Sequence, residues 1–130
     1  MSIVKATSAQ VAEPPPGTWS NCLVANGIAY IAGMVARAPA GSEGDEYVQA
    51  KAIFTKIKHL VEVAGGTMAD IVTVTIFVTD ITKREGVWKA RQEFFTGNFP
   101  ASTLVQVAAL AEPALKVEIN AIAHIGTSKS

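Results

Sequence analysis

Few side chains in this sequence could act on a ligand, and their types narrow the chemistry. Arg91 and Arg37 each carry a planar guanidinium that can pair bidentately with a carboxylate. Trp88 precedes Arg91 by one helical turn and could stack on a ligand or fill space. Ser102 and Asn120 can orient a ligand or a water, but a hydroxyl cannot replace a bidentate cation and an amide does not exchange a proton near neutral pH. Glu118 is the carboxylate nearest to them in sequence, either a local base or a solvated group at a strand rim. Each arginine likewise reads as a carboxylate clamp or as an ordinary ion pair.

Other reaction classes fit poorly. His59 and His124 stand alone, with no cysteine or carboxylate at ligand spacing, so no metal is expected. Cys22 lies inside a strand pattern with no local base and reads as a small buried hydrophobe. Neither Gly65-Gly66 nor Gly41-Ser42-Glu43-Gly44 matches a phosphate-binding loop, and no Ser-His-Asp order is convincing.

The bulk composition sharpens this. Of 130 residues, 11 are Lys or Arg and 11 are Asp or Glu, a balance unlike the basic excess of nucleic-acid binders. Charged residues make up 17% and apolar ones 49%, more apolar surface than so small a domain hides alone. A homo-oligomer is therefore expected, with an Ala-rich surface as the alternative. One cysteine excludes an intrachain disulfide, the start Met1-Ser2-Ile3-Val4-Lys5 lacks a signal-peptide pattern, and no long apolar run would span a membrane. A cytoplasmic protein is expected.

The elements that would position these residues follow from periodicity. Residues Ile3 to Thr7 suit a short edge strand, and Glu13-Pro14-Pro15-Pro16-Gly17 a stiff surface loop. Asn26-Gly27, between Cys22–Ala25 and Ile28–Ala32, predicts a hairpin with a type I′ turn. Pro39 to Gly44 breaks the chain before a helix capped by Asp45 and ended by Gly65-Gly66. Val48, Ala52, Ile53, Ile57, Leu60, Val61 and Ala64 form its apolar face. Ile71 to Thr79 alternates as a strand, with Thr73, Thr75, Phe77 and Thr79 on a face suited to a subunit interface or ligand cavity. A second helix starts at Asp80 and Thr82 and turns Val87, Ala90, Arg91, Phe94 and Phe95 inward. Strands over Thr103–Ala108 and Leu115–Ile125 close a single domain spanning residues 1–130. The class is α+β: a two-layer mixed sheet with both helices on one face.

This order carries local matches to a known family. Gly17-Thr18-Trp19-Ser20-Asn21 resembles the Gly-Pro-Tyr-Ser-Gln entrance of the RidA (YjgF/YER057c/UK114, endoribonuclease L-PSP-like) family. Ile31-Ala32-Gly33 resembles its Val-Ser-Gly strand end, and Glu93-Phe94-Phe95 its second helix end. Pro100-Ala101-Ser102-Thr103 resembles its Pro-Ala-Arg-Ser segment, with serine for arginine. Val117-Glu118-Ile119-Asn120-Ala121-Ile122-Ala123 resembles its closing strand, with Asn120 for the second glutamate.

The resemblance implies a chorismate-mutase-like fold and a homotrimer whose sheets close a central barrel, with small-molecule clefts between subunits. It implies a hydrolase (deaminase) acting on enamines and imines, giving a keto acid and ammonia without metal or cofactor. Ser102 and Asn120 then stand at the catalytic positions. Trp19, Ser20, Gly33, Trp88, Arg91, Val105 and Gln106 would line the ligand, the last two through backbone groups. For Trp19 and Ser20 the alternative is a loop anchor. The departures point to a retuned cleft with a non-standard substrate, or else to a non-catalytic ligand-binding trimer. An RNase role, attached to some relatives, fits neither the neutral charge nor the lack of paired histidines.

Overall fold

Asn26 and Gly27 both take positive φ, 52° and 74°. That is the type I′ geometry whose twist matches paired strands. The computed structural model describes residues 2–37 and 44–129. Around the turn, β2 (Cys22–Ala25) pairs antiparallel with β3 (Ile28–Met34), and the short β1 (Val4–Lys5) adds to the outer edge of β2.

Helix α1 (Glu46–Val63) begins where the Asp45 side chain accepts from the Val48 amide at 2.9 Å. Gly65, at φ 97°, follows its end. Of the predicted break before it, Pro39 to Glu43 lies outside the described residues. The buried seam runs through Gln49, Ala50, Ile53, Phe54, Ile57, Leu60 and Val61. Val48 departs from expectation: it is 43% exposed, because the seam is centred one residue further round the helix. Gln49 fills the place, fully buried, donating to the Ala114 carbonyl (2.9 Å) and accepting from the Lys116 amide (2.8 Å). It ties α1 to the segment leading into the last strand.

Strand β4 (Ile71–Val78) buries Val74, Ile76 and Val78 against the helices. Val72 does not join them. An irregularity between Ile71 and Thr73 shifts the register, so Ile71 is buried and Val72 points outward. Asp80 accepts from the amide and hydroxyl of Thr82, starting a 3-10 turn (Ile81–Lys83) that leads into α2 (Arg84–Phe94). The helix proper thus starts later than predicted. Strand β5 (Ala101–Gln106) begins two residues earlier than expected, and β6 (Val117–His124) two residues later.

The sheet order is β1-β2-β3-β6-β4-β5. β6 slots between β3 and β4 and is antiparallel to both, while β4 and β5 are parallel neighbours joined through α2. The core lies between one sheet face and the two helices, with Phe54 packed on Phe94 and Phe95. The opposite face presents Tyr30, Thr73, Thr75, Phe77, Asn120 and Ile122, and none of the described elements covers it. Among the described residues, no helix is long and apolar enough to cross a membrane.

Asp70 fastens the chain end. Burial opposes its ionisation. Hydrogen bonds from Ser128, Gly126 and Thr67 outweigh that and hold its carboxyl at about 2, against an ordinary 3.8. Its oxygens accept from the Ser128 amide at 2.8 Å and the Thr67 amide at 3.0 Å. A depressed carboxylate stabilises the fold above its unfolded value and loses that contribution as pH falls through its folded value. Asp70→Asn should therefore be less stable than wild type by about 2 kcal/mol at pH 7. In urea titrations that gap should shrink as pH falls from near 4 towards 2; a constant gap contradicts the assignment.

Candidate functional site

The register of β3 against β6 sets up the first half of the site. Ile31 pairs with Ala121 and Met34 with Ile119, so Ala32 and Gly33 together face the single residue Asn120. This bulge returns Met34 to the core and leaves Ala32 and Gly33 on the uncovered face. The absence of a side chain at Gly33 leaves room for the end of the Glu118 side chain, which would otherwise have to move aside. A Cβ on it would collide with Glu118 Oε2 and come within 2.9 Å of Glu118 Cδ.

Two concavities meet at Gly33. One, about 340 Å³, is lined by Ser20, Leu23, Tyr30, Ala32, Gly33, Asn120 and Ile122. The other, about 310 Å³, is lined by Trp19, Ala32, Gly33, Val35, Arg37, Ala111 and Glu118. A broader hollow of about 660 Å³ extends from Trp19 and Arg37 along the proline loop to Lys56 on α1. Lys56 donates to the Val35 carbonyl at 2.7 Å. Burial, and then the charge of Arg37, lowers its ammonium below the ordinary lysine range. Arg37 itself pairs with Glu112 at 2.9 Å. A separate groove of about 530 Å³ lies by the C-terminal ends of both helices. Its Glu93 is already engaged by Tyr47 at 2.7 Å and Lys51 at 3.6 Å.

The second half lies at the outer edge of the sheet. Ser102 pairs with Val74 and so belongs to the helix-side face of β5, where it is exposed. Arg91 reaches it from α2: Nη1 donates to Ser102 Oγ at 2.9 Å. Burial lowers the Arg91 guanidinium from its ordinary value, yet an arginine stays charged at neutral pH. Trp88, one turn earlier, is 39% exposed and lies under the Arg84 guanidinium at 5.3 Å. Val105 is exposed on the opposite face beside Phe77. The Gln106 side chain accepts from the Ile81 amide at 2.9 Å and so serves the 3-10 turn.

The sequence-derived candidates therefore fall into two groups. Trp19, Ser20, Gly33 and Asn120 line the joined concavities, whereas Ser102 and Arg91 meet between α2 and β5, across β4 from β6, and Trp88 packs on Arg84 one turn before Arg91. One chain does not bring the groups together. Glu118 was a candidate base in the sequence, but its contact with Gly33 and the part of Lys56 were not foreseen. Cys22 is fully buried, and burial raises its thiol, which leaves it unreactive. Among the described residues, no group of three or more His, Cys, Asp or Glu could hold a metal ion.

Comparison with known proteins agrees with this architecture. The family model for endoribonuclease L-PSP matches residues 10–125. A protein of unknown function from Pseudomonas aeruginosa superposes with a TM-score of 0.90 at 34% identity, over 96% of this chain and 94% of that one. RidA from the Antarctic bacterium Psychrobacter gives 0.82 at 29%, over 94% and 99%. A YjgF/YER057c/UK114 family member from Mycobacterium tuberculosis gives 0.78 at 26%, over 95% and 100%. With the family model matching most of the chain and the fold superposing along nearly its whole length, the chain belongs to the endoribonuclease L-PSP family, the YjgF/YER057c/UK114 or RidA proteins.

Proposed function

We propose that this protein is a RidA-like hydrolase of small enamines or imines bearing a carboxylate, working as a homotrimer in the cytoplasm. The Arg91–Ser102 edge of one subunit faces the Gly33–Asn120 concavity of the next, and the ligand lies between them. No metal or cofactor enters the reaction.

The observation that carries this reading is the 2.9 Å contact between Arg91 Nη1 and Ser102 Oγ. A small imino acid needs one fixed cation for its carboxylate, and a guanidinium pairs with it bidentately. The Pro-Ala-Arg pattern puts such a group on the strand, at position 102. Here the strand offers a hydroxyl, and a guanidinium from α2 arrives at that same atom. The cation has moved by one element while its charge stays at the same edge. Support for the oligomer comes from the uncovered face of Tyr30, Thr73, Thr75, Phe77 and Ile122, and from a family that is typically oligomeric. The free Cys22 suits a reducing compartment.

In this arrangement Arg91 anchors the carboxylate, Ser102 holds the guanidinium, and Asn120 with Ser20 orients the ligand or the attacking water. Gly33 and the free edge of β5 at Val105 and Gln106 offer backbone groups, and Trp19 and Trp88 shape the walls.

A second reading, a trimer that binds a small metabolite without turning it over, is favoured by Ser102, a hydroxyl in place of a cation, and by Asn120, which moves no proton near neutral pH. Freshly generated 2-iminobutanoate separates the two. The hydrolase reading expects imine loss well above a no-protein control; binding of 2-oxobutanoate without accelerated loss would establish the second reading.

A further inference from the structure

We infer that Glu118 is the proton-transfer residue of this cleft, a deeper claim that rests on the hydrolase reading above. Glu118 and Asn120 lie on the same face of β6, two residues apart, which on a strand is roughly 7 Å. Its neighbours are specific. Phe77 of β4 pairs with it on one side, and Gly33 of the bulge lies against its carboxyl group on the other. Trp19 and Arg37 complete the concavity. Arg37 is already neutralised by Glu112, and Glu118 has no hydrogen bond or ion pair among the described residues.

A half-buried carboxylate with no hydrogen bond or ion pair among the described residues, beside an exposed indole, can receive a cationic ligand group. The iminium nitrogen of a protonated imine is such a group. The carboxyl keeps this position because residue 33 has no side chain.

The chemistry balances with water alone. As water adds to the iminium carbon, its proton passes to the Glu118 carboxylate and a carbinolamine forms. Glu118 returns that proton to the nitrogen. The carbon–nitrogen bond then breaks as the hydroxyl becomes the ketone; its proton goes to Glu118 and on to the departing ammonia. The sum is iminium plus water giving keto acid plus ammonium.

The test is steady-state hydrolysis of 2-iminobutanoate by the full-length wild type, Glu118→Gln, Glu118→Ala and Gly33→Ala, with 2-oxobutanoate binding followed by calorimetry. Removing a general acid–base group should lower kcat about 100-fold in Glu118→Gln while affinity for 2-oxobutanoate, which has no cationic nitrogen, stays within about threefold. Gly33→Ala should lower kcat in the same sense by displacing the carboxyl. Added formate should restore about tenfold or more of the rate to Glu118→Ala, which a structural role would not allow. An active wild type whose Glu118→Gln variant keeps its kcat within about twofold overturns the inference and leaves the hydrolase reading standing. Loss of rate without formate rescue also overturns it. A wild type that hydrolyses nothing removes the hydrolase reading and this inference together.

Discussion

Arg91→Ala should lower kcat/KM for 2-iminobutanoate by about two orders of magnitude and weaken 2-oxobutanoate binding by a similar factor. The estimate follows from the loss of a charge-assisted pair in a desolvated cleft, about 2–5 kcal/mol. Arg91 is partly buried and its Nη1 is fixed on Ser102 at 2.9 Å, so little conformational freedom remains to be lost on binding. Ser102→Ala should have a much smaller effect, about tenfold or less, since it removes one neutral acceptor and leaves the cation in place. Arg37→Ala should leave carboxylate binding nearly unchanged, because Arg37 is committed to Glu112. Calorimetry with 2-oxobutanoate ranks the three. A ranking with Arg37 first would move the anchor to the other end of the cleft.

Thr75→Arg should separate the subunits and abolish hydrolysis without unfolding the chain. Thr75 lies mid-strand on the uncovered face, between Thr103 of β5 and Asn120 of β6. In an isolated subunit a long cationic side chain there would extend into water at little cost. Within a closed barrel three copies would be brought together and desolvated, at a cost of several kcal/mol per unpaired charge. The expected result is a monomer by light scattering, with an unchanged far-ultraviolet spectrum and imine loss at the no-protein rate. A monomer with full activity would show that one chain holds a complete site, against the division into two half-sites.

The sequence revealed elements whose cause is local. Asn26-Gly27 specified its turn, Asp45 its helix start and Gly65 its helix end, because each acts through its own backbone. The alternation in β4 was legible for Val74, Ile76 and Val78 and failed at Val72, where pairing with β6 introduces the irregularity. That cause lies about fifty residues away in the chain, so no window around Val72 contains it. Gln49 was passed over for the same reason: a polar residue on a helix reads as exposed until its partners at Ala114 and Lys116 are known.

The candidate site was half legible. The motif positions singled out Gly33, Ser102 and Asn120 as candidates, and the turn-by-turn spacing of α2 put Arg91 on its inward side. That Arg91 bonds to Ser102 itself follows from the packing of α2 on β5, and that Glu118 depends on Gly33 follows from the bulge. The first is a helix packing on the strand that follows it, and the second a consequence of register between strands distant in sequence.

The most direct measurement of the central claim, that the carboxylate anchor has moved from strand to helix, is an arginine swap. Hydrolysis of 2-iminobutanoate would be compared in wild type, Arg91→Ala and the double variant Arg91→Ala/Ser102→Arg. Relocation predicts an active wild type, a single variant reduced about 100-fold, and a double variant that regains most of the lost rate as the guanidinium returns to position 102. A single variant as active as wild type, or a double variant no better than the single one, would contradict it.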